Sequence, residues 1–353
     1  MADQLGYVDN LYDKPTTQTP RAETSFIYEL DDAHFPAAEQ GVTAAFDLMP
    51  YVMAFNERIE KVTISDNKNN RHDIFTKKSS KTLDPDVNLH VLTIETSDGN
   101  DRNLFYLQSK DRKDMIILPL KSKNEAMDIT GVPRLFIFFP LLGTHNFGFN
   151  YIFHSERFFP EEPRNAIVLP EDNIDKQTKY ESDVKVLKDM FQMLFAYLDK
   201  YGKEIKNAKL VAPITIDLSR FEKAHQLTKD FYVSLKYQLV NKFLTLPFLN
   251  VDGEPASVSQ SDKIRFLSSD IVSFLRKNEG AKHLDVVYTY ANLVSNLPPK
   301  NEVLEWSEIV TQWDDKTSSR FITVEDIVNK IIENDEKNQL HDFLLFLKDS
   351  EQT

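Results

Sequence analysis

The chain has no cysteine among its 353 residues. That excludes disulfides, thiolate catalysis, iron–sulfur clusters and the thiolate zinc cages, and it suits a reducing compartment. Glycine is scarce, at 9 residues, and neither G-x-G-x-x-G nor G-x-S-x-G occurs, so the dinucleotide fingerprint and the nucleophile elbow are both missing. No H-E-x-x-H and no EF-hand loop is present, which leaves no recognisable metal motif. No apolar run approaches the ~20 residues a bilayer span needs; the best, Leu135–Leu142, is short and interrupted by Pro140. The first ten residues are acidic and lack the regions of a signal peptide, and no Asn-x-Ser/Thr sequon occurs, so the expected location is cytoplasmic. Basic runs go no further than the pair Lys77–Lys78. With 42 Lys and Arg against 55 Asp and Glu the net charge is −13, and a phosphate backbone is repelled.

What is present is the material of large cores. Hydrophobic residues make up 41%, with 25 Phe and 13 Tyr, and the length predicts about two domains. An N-terminal stretch rich in Pro and Thr reads as an extended arm, followed by a strand at Thr24–Leu30 that needs a partner sheet. Apolar residues at three- and four-residue steps predict a helix over Pro36–Ile59, kinked or divided at Pro50. Short β-type runs follow at Val62–Ile64, His72–Lys78, His90–Thr96, Asn103–Ser109 and Met115–Leu120, separated by turn clusters, which predicts an antiparallel meander. The run Arg134–Leu142 is apolar on both faces and reads as a strand buried on both sides.

From Lys179 the period becomes helical, with Val184, Leu187, Met190, Phe191, Leu194, Phe195 and Leu198 on one stripe. More helices are expected at Arg220–Lys242, Asp270–Lys277, Leu284–Leu297, Glu305–Trp313, Thr323–Glu333 and Leu340–Leu347. Thr323 and Asp326 form the outline of a capping box. The fold class is therefore α+β: a mixed or antiparallel sheet domain with packed helices, followed by a mainly helical region. The expected divisions are residues 1–35, 36–175 and 176–353.

Few residues point to chemistry. Gly143 and Gly148 have P-loop spacing, but Phe149-Asn150 stands where lysine and a hydroxyl are required, so turn-forming or closely packed glycines are the plainer reading. His145 and His154 lie at opposite ends of a short strand, too far apart to share an ion. Glu161-Glu162 and Asp314-Asp315 read as solvated pairs rather than a hydrolytic dyad. Trp306 and Trp313, seven apart, are expected to face one core. The remaining cluster is Arg157, Arg164 and Arg134 around the loop Phe158–Arg164. Arginines beside a rigid sheet suit bidentate contact with phosphate or carboxylate; an ion pair with Glu161 or Glu162 is the competing reading.

Three blocks, Thr24–Leu30 with Leu48–Ile64, Phe149–Pro170 and Leu304–Ile331, together resemble the bacterial ATP-binding proteins related to sacsin and to the ninety-kilodalton heat-shock chaperone, in the gyrase, chaperone, histidine kinase and MutL (GHKL) ATPase superfamily. The resemblance covers Tyr12–Ile331. It implies that residues 1–35 are the lid end and last strand of a truncated nucleotide domain, that 36–175 are the α/β middle domain that couples ATP turnover to conformational change, and that 176–353 are a mainly helical C-terminal region. The superfamily's ATP pocket is not in this sequence: neither Asp98-Gly99 nor Asp252-Gly253 is followed by the second glycine of D-x-G-x-G.

The resemblance therefore implies a chain with no catalytic residue, metal or cofactor of its own, whose complete family protein uses ATP and Mg. It implies Arg164, then Arg157, as phosphate-sensing residues; Asn165 replaces the second arginine of the family's pair. The expected partners are a separate or missing nucleotide-binding domain and other protein chains, with homo-oligomers open and no membrane or nucleic acid. The alternative is a freestanding acidic protein-binding scaffold. An unrecognised hydrolase is a third reading, without an acid, base and nucleophile set to support it.

Overall fold

The computed structural model describes residues 31–162, 164–169, 174–216, 226–251, 253–260, 262–277, 281–313, 320–334, 341 and 343. The expected lid end, the strand at Thr24–Leu30 and most of the helix near Leu340–Leu347 lie outside the described residues. The chain forms two compact units, Met1–Ala45 and Phe46–Thr353. In the first, the Asp31 carboxylate accepts the His34 backbone N–H at 2.9 Å, just before the helix begins.

Helix α1 spans Phe35–Phe55 with Pro50 inside it, so the proline does not divide the helix. In the second unit, the last part of α1, from Phe46 to Phe55, is mostly buried. Its end is held by Lys77, whose ammonium donates to the carbonyls of Met53, Asn56 and Glu57 at 3.2, 2.6 and 3.1 Å. A cation there satisfies orphan carbonyls and opposes the helix dipole.

The strands β1 (Lys61–Asp66), β2 (Arg71–Lys77), β3 (Lys81–Asp84), β4 (Leu89–Thr96), β5 (Arg102–Gln108) and β6 (Asp114–Leu118) form the expected antiparallel meander, with β2 and β3 both pairing with β4. The turn between β4 and β5 places Gly99 at φ 78°, the left-handed backbone that glycine tolerates. After the small ribbon β7 (Leu120–Ser122) and β8 (Glu125–Ala126), the chain adds β9 (Leu135–Ile137), β10 (Phe139–Pro140) and β11 (Ile152–Ser155) to the large sheet. Strand β11 pairs antiparallel with β6 and parallel with β9, and the order is β1-β2-β4-β5-β6-β11-β9-β10. The sheet is mixed, as the α+β reading required.

The apolar run Arg134–Leu142 is not one strand. Phe138 adopts φ 60° and turns the chain back, so that β10 pairs antiparallel with β9, Phe139 opposite Ile137.

Period-two alternation divides the sheet's side chains between two cores. Leu104, Tyr106, Met115, Ile117, Phe136 and Ile152 pack with the end of α1. Their neighbours Phe105, Leu107, Ile116, Leu118, Leu135 and Phe153 face the other way, toward α2 (Ile174–Tyr201) and α3 (Gln226–Thr245). Each such side chain, fully buried, contributes about 1.5–3 kcal/mol relative to exposure. This second core runs without a break from sheet residues to helices on the far side of residue 175.

The ribbon β12 (Leu249–Val251) and β13 (Glu254–Ala256) follows, then β14 (Phe266–Leu267), α4 (Ser269–Lys277), α5 (Ala281–Ala291), α6 (Val303–Gln312), β15 (Phe321–Ile322) and α7 (Val324–Glu333). Helices α4 to α7 supply a third, smaller core. The capping box at the start of α7 is complete: the Thr323 hydroxyl accepts from the Asp326 N–H, and the Asp326 carboxylate accepts from the Thr323 N–H. Both tryptophans are buried in the second core, and the Trp313 indole donates to the Ala212 carbonyl at 3.1 Å.

Candidate functional site

The three arginines of the sequence reading have separate environments. Arg134 is buried and spends its guanidinium on the chain itself, donating to the carbonyls of Phe149 at 2.8 Å, Ile129 at 3.1 Å and Val132, and to the Asn150 side chain at 3.0 Å. Arg157 is held by Asp114, a buried carboxylate at the start of β6. Its Nε donates to Oδ1 at 3.2 Å and its Nη2 to Oδ2, while the Ser155 hydroxyl adds a bond of 2.7 Å. A two-pronged pair on a desolvated carboxylate fixes structure.

Arg164 differs from both. It is exposed, and among the described residues it has no ion pair. Neither glutamate of the competing reading takes it; Glu161 pairs with Lys176 at 3.2 Å.

The segment that carries Arg164 is a tight hairpin. Pro160 bridges Ile167, Glu161 N–H donates to Ala166 at 2.9 Å, and Val168 N–H donates to Phe159 at 2.9 Å. Its base is clamped by Asp183 of α2, which is fully buried and accepts the N–H groups of Phe159 at 3.0 Å and Val168 at 3.1 Å. Burial holds that carboxyl far above the ordinary carboxylate range, up to about 7, against the two N–H bonds that favour its anion. The tip is docked by Gly143, whose N–H donates to the Asn165 carbonyl at 3.0 Å. A Cβ on Gly143 would lie 2.5 Å from that oxygen. Gly148, at φ 94°, likewise packs against Ile216, so the two glycines serve close packing and not a phosphate loop.

Arg164 lines a cleft of about 630 Å³ with two arginines that the sequence reading did not select, Arg58 after α1 and Arg112 in the β5–β6 turn. Both are exposed. Arg58 has no ion pair among the described residues, and Arg112 pairs only with the exposed Glu57, at 3.1 Å. Aromatic and apolar side chains, among them Phe55, Met115, Ile137 and Phe138, make the floor.

His154 is part of this wall. It stacks on Phe55 with centroids 4.6 Å apart, and burial lowers its ionisation to about 4, so it is a neutral imidazole at pH 7. Its Nδ1 lies 3.3 Å from both the Phe138 N–H and the Phe136 carbonyl. His145 sits elsewhere, against the Leu142 carbonyl.

Backbone strain marks the same place. Six described non-glycine residues have positive φ, and three of them are asparagines, the side chain that tolerates it best. The other three are Arg112 (φ 63°), Phe138 (φ 60°) and Arg164 (φ 66°), and all three line this cleft. Such conformations cost about 1–3 kcal/mol and persist where surrounding contacts over-determine them. Here the contacts are visible: the Asn56 amide holds the Phe138 carbonyl at 3.1 Å, Ser109 accepts from Arg112 N–H at 2.9 Å, and Glu161 accepts from Arg164 N–H.

Sequence spacing carried no signal for Arg58 or Arg112, which tertiary structure brings to Arg164. Asp183 did carry one, because it falls four residues before Leu187 on the apolar stripe of α2.

The cleft offers guanidinium donors over an apolar floor. Among the described residues it has no nucleophile and base in hydrogen-bonded register, and no group of three or more His, Asp or Glu that could hold a metal. Among the described residues, no helix is long and apolar enough to cross a membrane. No protein-family model, curated protein or solved structure matches the chain.

Proposed function

We propose that this chain is a non-catalytic coupling segment of a sacsin-like or chaperone-like GHKL ATPase, acting in the cytoplasm and reading the state of a nucleotide-binding domain through Arg164. The observation that carries this reading is the guanidinium of Arg164, without an ion pair among the described residues, on a strained hairpin tip clamped at its base by Asp183 and docked at its tip by Gly143. A cation held in place before its anion arrives loses little on binding and stabilises charge that develops in phosphoryl transfer. Arg157, committed to Asp114, is in this reading a structural residue of the sheet and not the sensor.

In this reading ATP and Mg belong to the nucleotide-binding domain, and the chain supplies one arginine and the rigid sheet behind it. Two measurements test it. A labelled ATP analogue should show no stoichiometric micromolar binding to this chain alone by fluorescence anisotropy, since the nucleotide pocket lies in the other domain. In the assembly that contains the nucleotide-binding domain, Arg164→Ala should lower ATP turnover ~10²–10³-fold, as loss of one preorganised donor does. Unchanged turnover in that assembly refutes the reading.

A further inference from the structure

We propose that the cleft between Arg58, Arg112 and Arg164 is itself a binding site for a small amphipathic anion: a flat apolar body, such as an aromatic ring, with a phosphate or carboxylate head. Three observations converge on it. The volume, about 630 Å³, is in the range of small-ligand sites. The floor is apolar and aromatic, from Phe55, Met115, Ile137 and Phe138, whereas three solvent-facing guanidiniums line the same cleft, so body and head have separate places. The cationic lining is also under-used within the chain: Arg58 and Arg164 have no ion pair among the described residues, and Arg112 has only Glu57, a pair exposed on both sides and therefore weak.

The sign of the ligand follows from this count. Two carboxylates, Glu57 and Glu156, line the cleft against three arginines, and one of the two is already paired. In a chain of net charge −13 such a cluster is the exception. Neutral His154, stacked on Phe55, adds ring surface to the floor and no charge. The strain at Arg112, Phe138 and Arg164 gives the site preformed walls, which reduces the ordering cost of binding.

This inference shares Arg164 with the coupling reading but does not depend on it, because a free ligand binds here whether or not a nucleotide-binding domain docks. Its chemistry has two sources, a free aromatic phosphate ester and the C-terminal residue of a peptide ending in phenylalanine. Isothermal titration of the full chain with phenyl phosphate, inorganic phosphate, acetyl-Gly-Gly-Phe and its C-terminal amide separates them.

The expected result is saturable 1:1 binding of phenyl phosphate, of the free-acid peptide, or of both, at least ~10-fold tighter than inorganic phosphate or the amide respectively. Whichever ligand binds identifies the source. Arg112→Gln and Arg58→Gln, at solvent-facing positions, should each weaken that binding ~10-fold. Absence of saturation by both aromatic anions up to ~10 mM overturns the proposal, as does inorganic phosphate binding as tightly as phenyl phosphate, or both variants binding as the wild type does. Each of these is read without ATP turnover, so the coupling reading stands or falls separately.

Discussion

Replacing Asp183 by asparagine separates the charge of that side chain from its hydrogen bonds, and pH shows the difference. The native carboxyl is fully buried and ionises near about 7, whereas in the unfolded chain it ionises at its ordinary value of 3.8. Between those values the unfolded chain has released a proton that the native state still holds. Native stability from this group is therefore greatest at low pH, falls as pH rises through the window, and is level above it. At about 1.4 kcal/mol per pH unit, the loss between about pH 5.5 and about pH 7 is about 2 kcal/mol.

Asp183→Asn does not titrate. Its amide can still accept from Phe159 N–H but turns a donor toward Val168 N–H, which keeps its bond to the Phe159 carbonyl. The variant should be the less stable protein at about pH 5.5, and its deficit should shrink by about 2 kcal/mol by about pH 8. Guanidinium unfolding followed through the buried Trp306 and Trp313 measures both proteins at both pH values. A deficit constant to within about 0.5 kcal/mol would mean that the native carboxyl ionises normally, and the argument from burial would fail.

Three other substitutions test the supports of the cleft. Arg157→Ala leaves the buried Asp114 carboxylate with only Ser155 among its side-chain partners and should cost about 3 kcal/mol in denaturant unfolding. Gly143→Ala forces a Cβ to within 2.5 Å of the Asn165 carbonyl; expected are a loss of about 1–3 kcal/mol and faster exchange of the Glu161 and Arg164 amides, which donate within the hairpin. Arg112→Gly relieves a left-handed backbone at an exposed position, so thermal unfolding should show a gain of about 0.5–1 kcal/mol while the cleft loses a cation.

The sheet was legible because its signals are local. Asn103–Ser109 and Met115–Leu120 are short runs of β-forming apolar residues set off by turn clusters, and the turn around Gly99 declares the hairpin. The helices α2 and α7 were legible for the same reason, one by its stripe and the other by Thr323 and Asp326. Phe138 was not. Nothing in a run of apolar residues reports that one of them is left-handed, since the conformation is imposed by Asn56, just past the end of α1, and by His154 on β11. The short pairings of β10, β14 and β15 depend on neighbours in the same way.

Of the site, the loop with Arg164 was found from residue type and position, but its distinction from Arg157 rests on Asp114, 43 residues away in the chain. Arg58 and Arg112 could not be grouped with it before the fold was known. Asp183 could have been suspected, because a carboxylate on an apolar stripe must find donors or stay neutral.

The reversal at Phe138 has an effect beyond the cleft. Continued straight, Leu135–Leu141 would leave a long apolar strand at the margin of a nine-stranded sheet, with unpaired N–H and C=O groups open to any similar strand. That is the geometry through which sheet proteins polymerise. Instead the margin is a two-residue strand ending in Pro140, which has no N–H to offer. The strained backbone that shapes one wall of the cleft thereby also protects the protein from aggregation along that edge.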